Sequence, residues 1–330
     1  MLHRNLRLIE EDTFELGFKL QTEWAWLITT AFFLGELGAG LFLVSLFLSG
    51  KVAIMSALVG WIFVTVGKNI AHLLFLGKPL RFWRGIWRPQ TSWISRGFVA
   101  MLFMIIFGAL HIIFSYKGIV SPVSIVVTWI AGFSAFVVMI YDGIVMTYSP
   151  SIPLWNNALL PLLRVSYALM GGVTIALFIA GIPNLIDRFL SFFSDVILIS
   201  GVPGLASMLN DNLMHILKHL ETWLIIANLV MIIIYILTMI YSIDAAKKSA
   251  YLIFKEKYPI VFWLGVIFLG LVVIFLLPVI VTTPSIPILL AVAGCELIGD
   301  YCILFLLLRS GVFSPLMPHP NIDITLFAET

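Results

Sequence analysis

Seven ionisable residues, Glu36, Lys68, His72, Asp142, Arg164, Glu296 and Asp300, interrupt stretches that are otherwise almost continuously apolar, with His111 and Glu221 nearer the ends of such stretches. A charged side chain surrounded by hydrocarbon is costly, so each of these is expected to face a partner, a water-filled space or a ligand. Carboxyl, imidazole and cationic groups can hold a polar head group, exchange protons with it, relay protons onward or simply pair with one another. Glu36 lies roughly 18 Å beyond Trp24 at about 1.5 Å per helical residue, near the middle of its stretch. Gly35, Gly38 and Gly40 around it permit close approach of a helix or a flat ligand. Two readings stay open for Glu36: a buried site, or a protonated carboxyl donating one interhelical hydrogen bond.

Lys68 and His72 stand four apart on one helical face. Lys68 is expected to snorkel its ammonium to the interface, whereas His72 opens a basic loop. Asp142 and Arg164 flank a short turn between consecutive apolar stretches and suit either an ion pair or proton transfer. Glu221 and Asn228 are seven apart on one face, and Glu296 and Asp300 four apart on another. They could form steps of a proton path or structural glue between helices.

The elements that must position these residues are transmembrane helices. Of 330 residues 61% are hydrophobic and 11% charged, outside the range of soluble domains. A span needs roughly 20 mainly apolar residues, and eight stretches qualify, at 24–49, 52–76, 97–116, 119–147, 157–182, 221–243, 259–281 and 286–308. They lack the alternation of a membrane barrel, so the fold class is all-α. The polar segment 1–22 lacks the basic start and apolar block of a signal peptide. The connection 183–220 carries "SDVILISGVPGLASML", too short and too broken by Gly and Pro to cross, and reads as an interfacial or re-entrant insertion.

Eight spans put both termini on one face. Arg4, Arg7, Lys19, Lys78, Arg81, Arg84, Arg88, Arg96, Lys247, Lys248, Lys255, Lys257 and Arg309 fall there, against Lys51, Lys117, Arg188 and Lys218 opposite. That bias makes the terminal face cytoplasmic. Cys295 and Cys302, seven apart in the last span, read as buried thiols, with no spacing for a metal cluster. No nucleotide loop, nucleophile motif or nucleic-acid surface is present, and the lipid bilayer is the first partner that the composition implies.

The stretch "HLLFLGKPLRFWRGIWRPQTSWISRGF", residues 72–98, gathers cations and rings between two spans. A positive-inside loop with aromatic anchors explains the composition. The Gly-Lys-Pro turn and the Ser-Trp-Ile-Ser-Arg-Gly run suggest in addition a loop ordered enough to dock a protein or close over a ligand.

"HLLFLGKPLRFW" followed by "TSWISRG" resembles the membrane subunits of the polysulfide reductase (NrfD-like) family and the related dimethyl sulfoxide reductase anchor subunits. "WAWLITTAFFLGELGAGLFL", "YDGIVMTYSPSIPLWNNALLPLL" and "ELIGDYCILFLLLRSGVFSPLMP" extend the resemblance over nearly the whole chain. It implies a subunit without haem or metal, built as two four-helix bundles. These would be 23–150 with the quinone site and 151–310 with the 183–220 insertion, flanked by the 1–22 segment and a 311–330 tail. It further implies a quinone (menaquinone or similar) as cofactor, and an iron–sulfur subunit as partner that serves a molybdopterin catalytic subunit. The family places its quinone pocket among the first four helices with the tyrosine of a Tyr-x-Gly motif, here Tyr141-Asp142-Gly143. The anchor branch uses a histidine before Leu-Gly-x-Pro; His72 is the nearest equivalent, with "LLF" intervening before Leu76-Gly77. The amide and imidazole near the start of span 1 in the polysulfide reductase branch are replaced by Ile28 and Ala31, leaving Glu36 to supply a polar contact.

A quinone needs an apolar slot, donors for its carbonyls and groups that exchange protons. The expected site therefore has Tyr141 hydrogen-bonding one carbonyl and His72 or Glu36 exchanging protons. Asp142 would relay them, with Gly143 and Trp83 at the pocket. The expected proton path comprises Asp142, Arg164, Glu221, Asn228, Glu296 and Asp300. Two rivals remain. His111, His215 and His219 could ligate haem in a cytochrome b subunit, and buried acids with many glycines would also serve a secondary transporter or proton channel.

Overall fold

The structure is a computed structural model that describes residues 18–182, 211–276 and 286–314. The polar segment up to residue 17, the insertion from 183 to 210, the end of the seventh span after 276 and the tail from 315 lie outside the described residues. Four helices form the first half: α1 Trp26–Ser45, α2 Gly50–Phe75, α3 Trp93–Tyr116 and α4 Pro122–Thr147. Then come α5 Leu159–Ala180, α6 Asp211–Ile240, α7 Asp244–Glu256, α8 Val261–Leu276 and α9 Ile286–Arg309. Ser92 caps α3, and Ser121 forms a reciprocal capping box with Ser124 at the start of α4, satisfying amides that hydrocarbon would leave bare. Gly50 takes φ 66°, which lets the chain reverse sharply between α1 and α2.

Seven of these helices are long and apolar enough to cross a membrane, and the pair α7–α8, bent by 78°, makes an eighth span if taken as one. The chain ends decide the parity. Strand β1, Lys19–Leu20, pairs antiparallel with β2, Val312–Phe313, and Gln21 N donates to Gly311 O at 2.7 Å. The entry to α1 and the exit of α9 therefore share one end, so the number of crossings is even. The amide of Val312 also donates to Ser249 Oγ at 3.1 Å, which ties α7 to that same end. The protein is an all-α integral membrane protein.

Helices α1 to α4 close a ring, each packed on its neighbours. In the second half α5 packs on α6 and α9, and α8 on α9, where Gly270 meets Gly299 and Gly265 meets Cys302. The seam between halves is α1 against α5. A Cβ at Gly40 would overlap the backbone of Ala168, and one at Gly172 the backbone of Gly40, so glycine on both sides is what permits backbone-to-backbone approach. These two helices are the most buried spans, at 72% and 78%, against 22% for α3. The outer helices turn large apolar residues such as Trp129 and Phe133 outward, as a lipid-facing surface requires.

Candidate functional site

At the end shared with β1 and β2, a cavity of about 240 Å³ lies between α2, α3, α4 and the loop after α2. Lys68, Asn69, His72, Arg81 and Tyr141 give it polar atoms. Leu73, Leu76, Ile94, Phe98 and Met101 give it apolar walls. A short 3-10 helix, Pro79–Ile86, covers it, with Arg81, Phe82 and Gly85 at the lining and Phe82 beside Phe98. Arg96 fixes the return of the loop by donating to the carbonyls of Pro89 at 2.7 Å and Gln90 at 2.8 Å. The loop is thus ordered and closes over a space, with its remaining cations exposed.

Helix α2 aims its polar residues through a widened turn. Residues Phe63–Lys68 wind as a π-helix, a feature frequent at functional sites because it shifts the register of the turns beyond it. The amide of Asn69 donates to the carbonyls of Thr65 at 2.8 Å and Val64 at 3.3 Å, satisfying acceptors that the widened turn loosens. One turn on, His72 Nδ1 lies 3.3 Å from Lys68 O. A carbonyl can only accept, so this contact puts a hydrogen on Nδ1, and in the neutral ring Nε2 then keeps its lone pair. Tyr141 reaches the cavity because residue 97 is glycine: a Cβ there would overlap the Tyr141 ring.

Behind the cavity lie two buried ion pairs. Lys68 does not snorkel: it is 3% exposed, its Nζ donates to Asp142 Oδ2 at 2.9 Å and Oδ1 at 3.0 Å, and it sits over the rings of Tyr141 and Phe32 at 5.3 and 5.4 Å. Gly35 makes room for it, since a Cβ there would meet Lys68 Cδ and Nζ. Arg164 pairs with Glu36, Nε donating to Oε1 at 3.1 Å and Nη2 to Oε2. The Asp142–Arg164 pairing suggested by adjacency in sequence is therefore replaced by two pairs, α2 with α4 and α1 with α5. Glu36 uses both carboxyl oxygens on the guanidinium, so it is not the single hydrogen-bond donor that the lone-acid reading describes. Each buried cation is thus matched by a carboxyl group across the bundle, as burial demands.

The second half carries a further polar group. The Thr174 hydroxyl contacts Glu221 Oε1 at 2.8 Å and Glu296 Oε2. Asp300 lies across from Gly171, where a Cβ would come within 3.0 Å of its Oδ2, and within electrostatic reach of Arg164. Asn228 donates to Met170 Sδ at 3.1 Å. Gly143 faces Pro161 of α5 instead of the cavity, and Trp83 packs beside Trp87 and Arg84 on the covering helix. His111 bonds Thr128 Oγ1 at 2.9 Å, while His215 and His219 contact each other at 3.2 Å, so the three do not converge. Sequence reasoning missed Thr174, Tyr167 and Asn69 because hydroxyl and amide side chains in spans are common; only their spacing from Arg164 and His72 marks them.

A multi-pass helical membrane protein with two buried ion pairs, and a covered cavity of mixed polarity at one end, is the class this fold and site define. A family model described as "Polysulphide reductase, NrfD" matches residues 17–315, nearly the whole chain. The chain belongs to that family, whose members are membrane subunits of oxidoreductase complexes of the polysulfide reductase type. No curated protein matched the chain.

Proposed function

We propose that this chain is the quinone-reacting membrane anchor of a molybdopterin iron–sulfur oxidoreductase, with the quinone head in the cavity between α2, α3 and α4. The carrying observation is that His72, Tyr141 and Lys68 meet at one cavity whose other walls are apolar. That donor set fits a quinone. Tyr141 makes no hydrogen bond to another described residue, so its hydroxyl is free to donate to a carbonyl oxygen. His72 Nε2, its lone pair held available by the Nδ1 contact, accepts or returns a proton. The Lys68 ammonium favours negative charge on the ring oxygens and passes its effect to Asp142, which touches the cavity only through Lys68. When bound, a quinol supplies two electrons and two protons.

The exposed cations of the covering loop, Lys78, Arg84 and Arg88, suit an acidic docking face on the iron–sulfur subunit, which would take the electrons at this end. The distribution of Lys and Arg favours the cytoplasmic side of the cell membrane for that end. Gly97→Val tests the assignment in the purified complex. A branched side chain at residue 97 pushes the Tyr141 ring into the cavity, and reduction of the iron–sulfur clusters by a short-chain quinol should fall about tenfold or more. Co-purification of the partner subunits is expected to be unchanged. Wild-type turnover in this variant would remove the cavity from the reaction.

A further inference from the structure

One face of α5 carries Arg164, Tyr167, Gly171 and Thr174, at spacings of three, four and three that keep all four in line over about 15 Å of helix. Opposite them stand, in the same order, Glu36 of α1, Asp300 of α9, then Glu296 of α9 with Glu221 of α6. Several atoms along this line are buried without a protein partner: Arg164 Nη1, the Tyr167 hydroxyl, Asp300 Oδ1 and Glu296 Oε1. The Tyr167 hydroxyl is within electrostatic reach of Arg164, Asp300 and Glu296, so these atoms share one region between α5 and α9. Buried polar atoms are nearly always partnered, and a run of them is where protons or internal waters sit.

The Thr174 contacts impose a count. A hydroxyl carries one hydrogen, yet this one lies within bonding distance of an oxygen on each of two carboxyl groups. Both contacts are satisfied when Thr174 donates to one carboxylate and accepts from the other as a carboxylic acid. We propose that Glu221, Thr174 and Glu296 form a proton relay holding one shared proton, which connects the end of the bundle remote from the cavity to Asp300 and the α5 line. In the relay step the Glu221 O–H bond breaks as its proton passes to the Thr174 oxygen, while the Thr174 proton passes to Glu296. Two O–H bonds break, two form, and one proton has advanced from α6 to α9. Glu221 is the outer member, at 7% exposure and one turn beyond Lys218 on α6; Glu296 is fully buried. Asn228 of α6 donates through Nδ2 to the Met170 sulfur and also carries a buried, unpartnered Oδ1. The relay is a property of the resting chain and stands or falls apart from the quinone reading.

The test uses the full chain in lipid vesicles, without quinol, followed by infrared spectroscopy after transfer to D₂O. The wild-type protein should show a protonated-carboxyl C=O band that disappears in the double variant Glu221→Gln/Glu296→Gln and moves to higher frequency in Thr174→Val as a hydrogen bond is lost. Deuterium exchange of that band should slow by about 100-fold in Thr174→Val, the low end of the effect of a positioned proton-transfer group. Thr174→Ser, which keeps the hydroxyl, should exchange at the wild-type rate. Absence of the band in the wild type, or equal exchange in Thr174→Val and wild type, overturns the relay.

Discussion

Replacing His72 with Ala lowers quinol-linked electron transfer by about 100-fold or more, the usual loss when a positioned general base is removed, while the complex stays assembled. The expectation rests on a single contact. His72 Nδ1 is occupied by Lys68 O, and the ring lies beside Phe32 at 5.9 Å between centroids, so its orientation is fixed before any ligand arrives. Alanine removes the base and leaves a void that water can enter. Tyr141→Phe should be milder, about fivefold, because it removes one neutral hydrogen bond worth about 1 kcal/mol and keeps the ring over which Lys68 sits. Steady-state reduction of the partner's clusters by a short-chain quinol measures both. Equal turnover in wild type and both variants would take the chemistry away from this cavity.

The second large effect is on stability. Lys68→Met leaves Asp142 buried and unpaired, and Asp142→Leu does the same to Lys68; each should cost about 3–5 kcal/mol. The double variant, which removes both charges, should recover most of that loss, since a buried pair is worth far less as a whole than the penalty for orphaning one member. Thermal unfolding midpoints of the purified chain in lipid give the comparison. Turnover separates structure from chemistry: the double variant refolds the centre but lacks an ammonium at the cavity, so quinol reaction stays impaired. Single losses that simply add in the double variant would show that Lys68 and Asp142 are not coupled.

How much of this could be read from the chain differs by element. The spans were legible because hydrophobic length alone dictates them, and the even crossing count agrees with the β1–β2 pairing of the two ends. The candidate site was legible as a set of residue types, for acids, a lysine and an imidazole in hydrocarbon have few bland explanations. Pairing was not legible. Asp142 and Arg164 are close in sequence, but helix rotation turns Asp142 toward α2 and Arg164 toward α1, and rotation is set by contacts such as Gly40 with Ala168 that no local pattern announces. Lys68 illustrates the same limit. Near a helix end it has the length to snorkel, and only the space left by Gly35 and the carboxylate across the bundle draws it inward. The π-helical turn before it, which aims His72, has no sequence signature at all.

The central claim, that the cavity lined by Lys68, His72 and Tyr141 holds a quinone head, is tested most directly by photoaffinity labelling. The complex in lipid vesicles would be illuminated with an azidoquinone, digested and mapped by mass spectrometry. Label should fall on residues of α2, α3, α4 and the covering loop that face the cavity, and excess unlabelled quinone should suppress it. Label confined to lipid-facing positions such as Trp129 and Phe133, or label on the cavity that unlabelled quinone fails to suppress, would contradict the account.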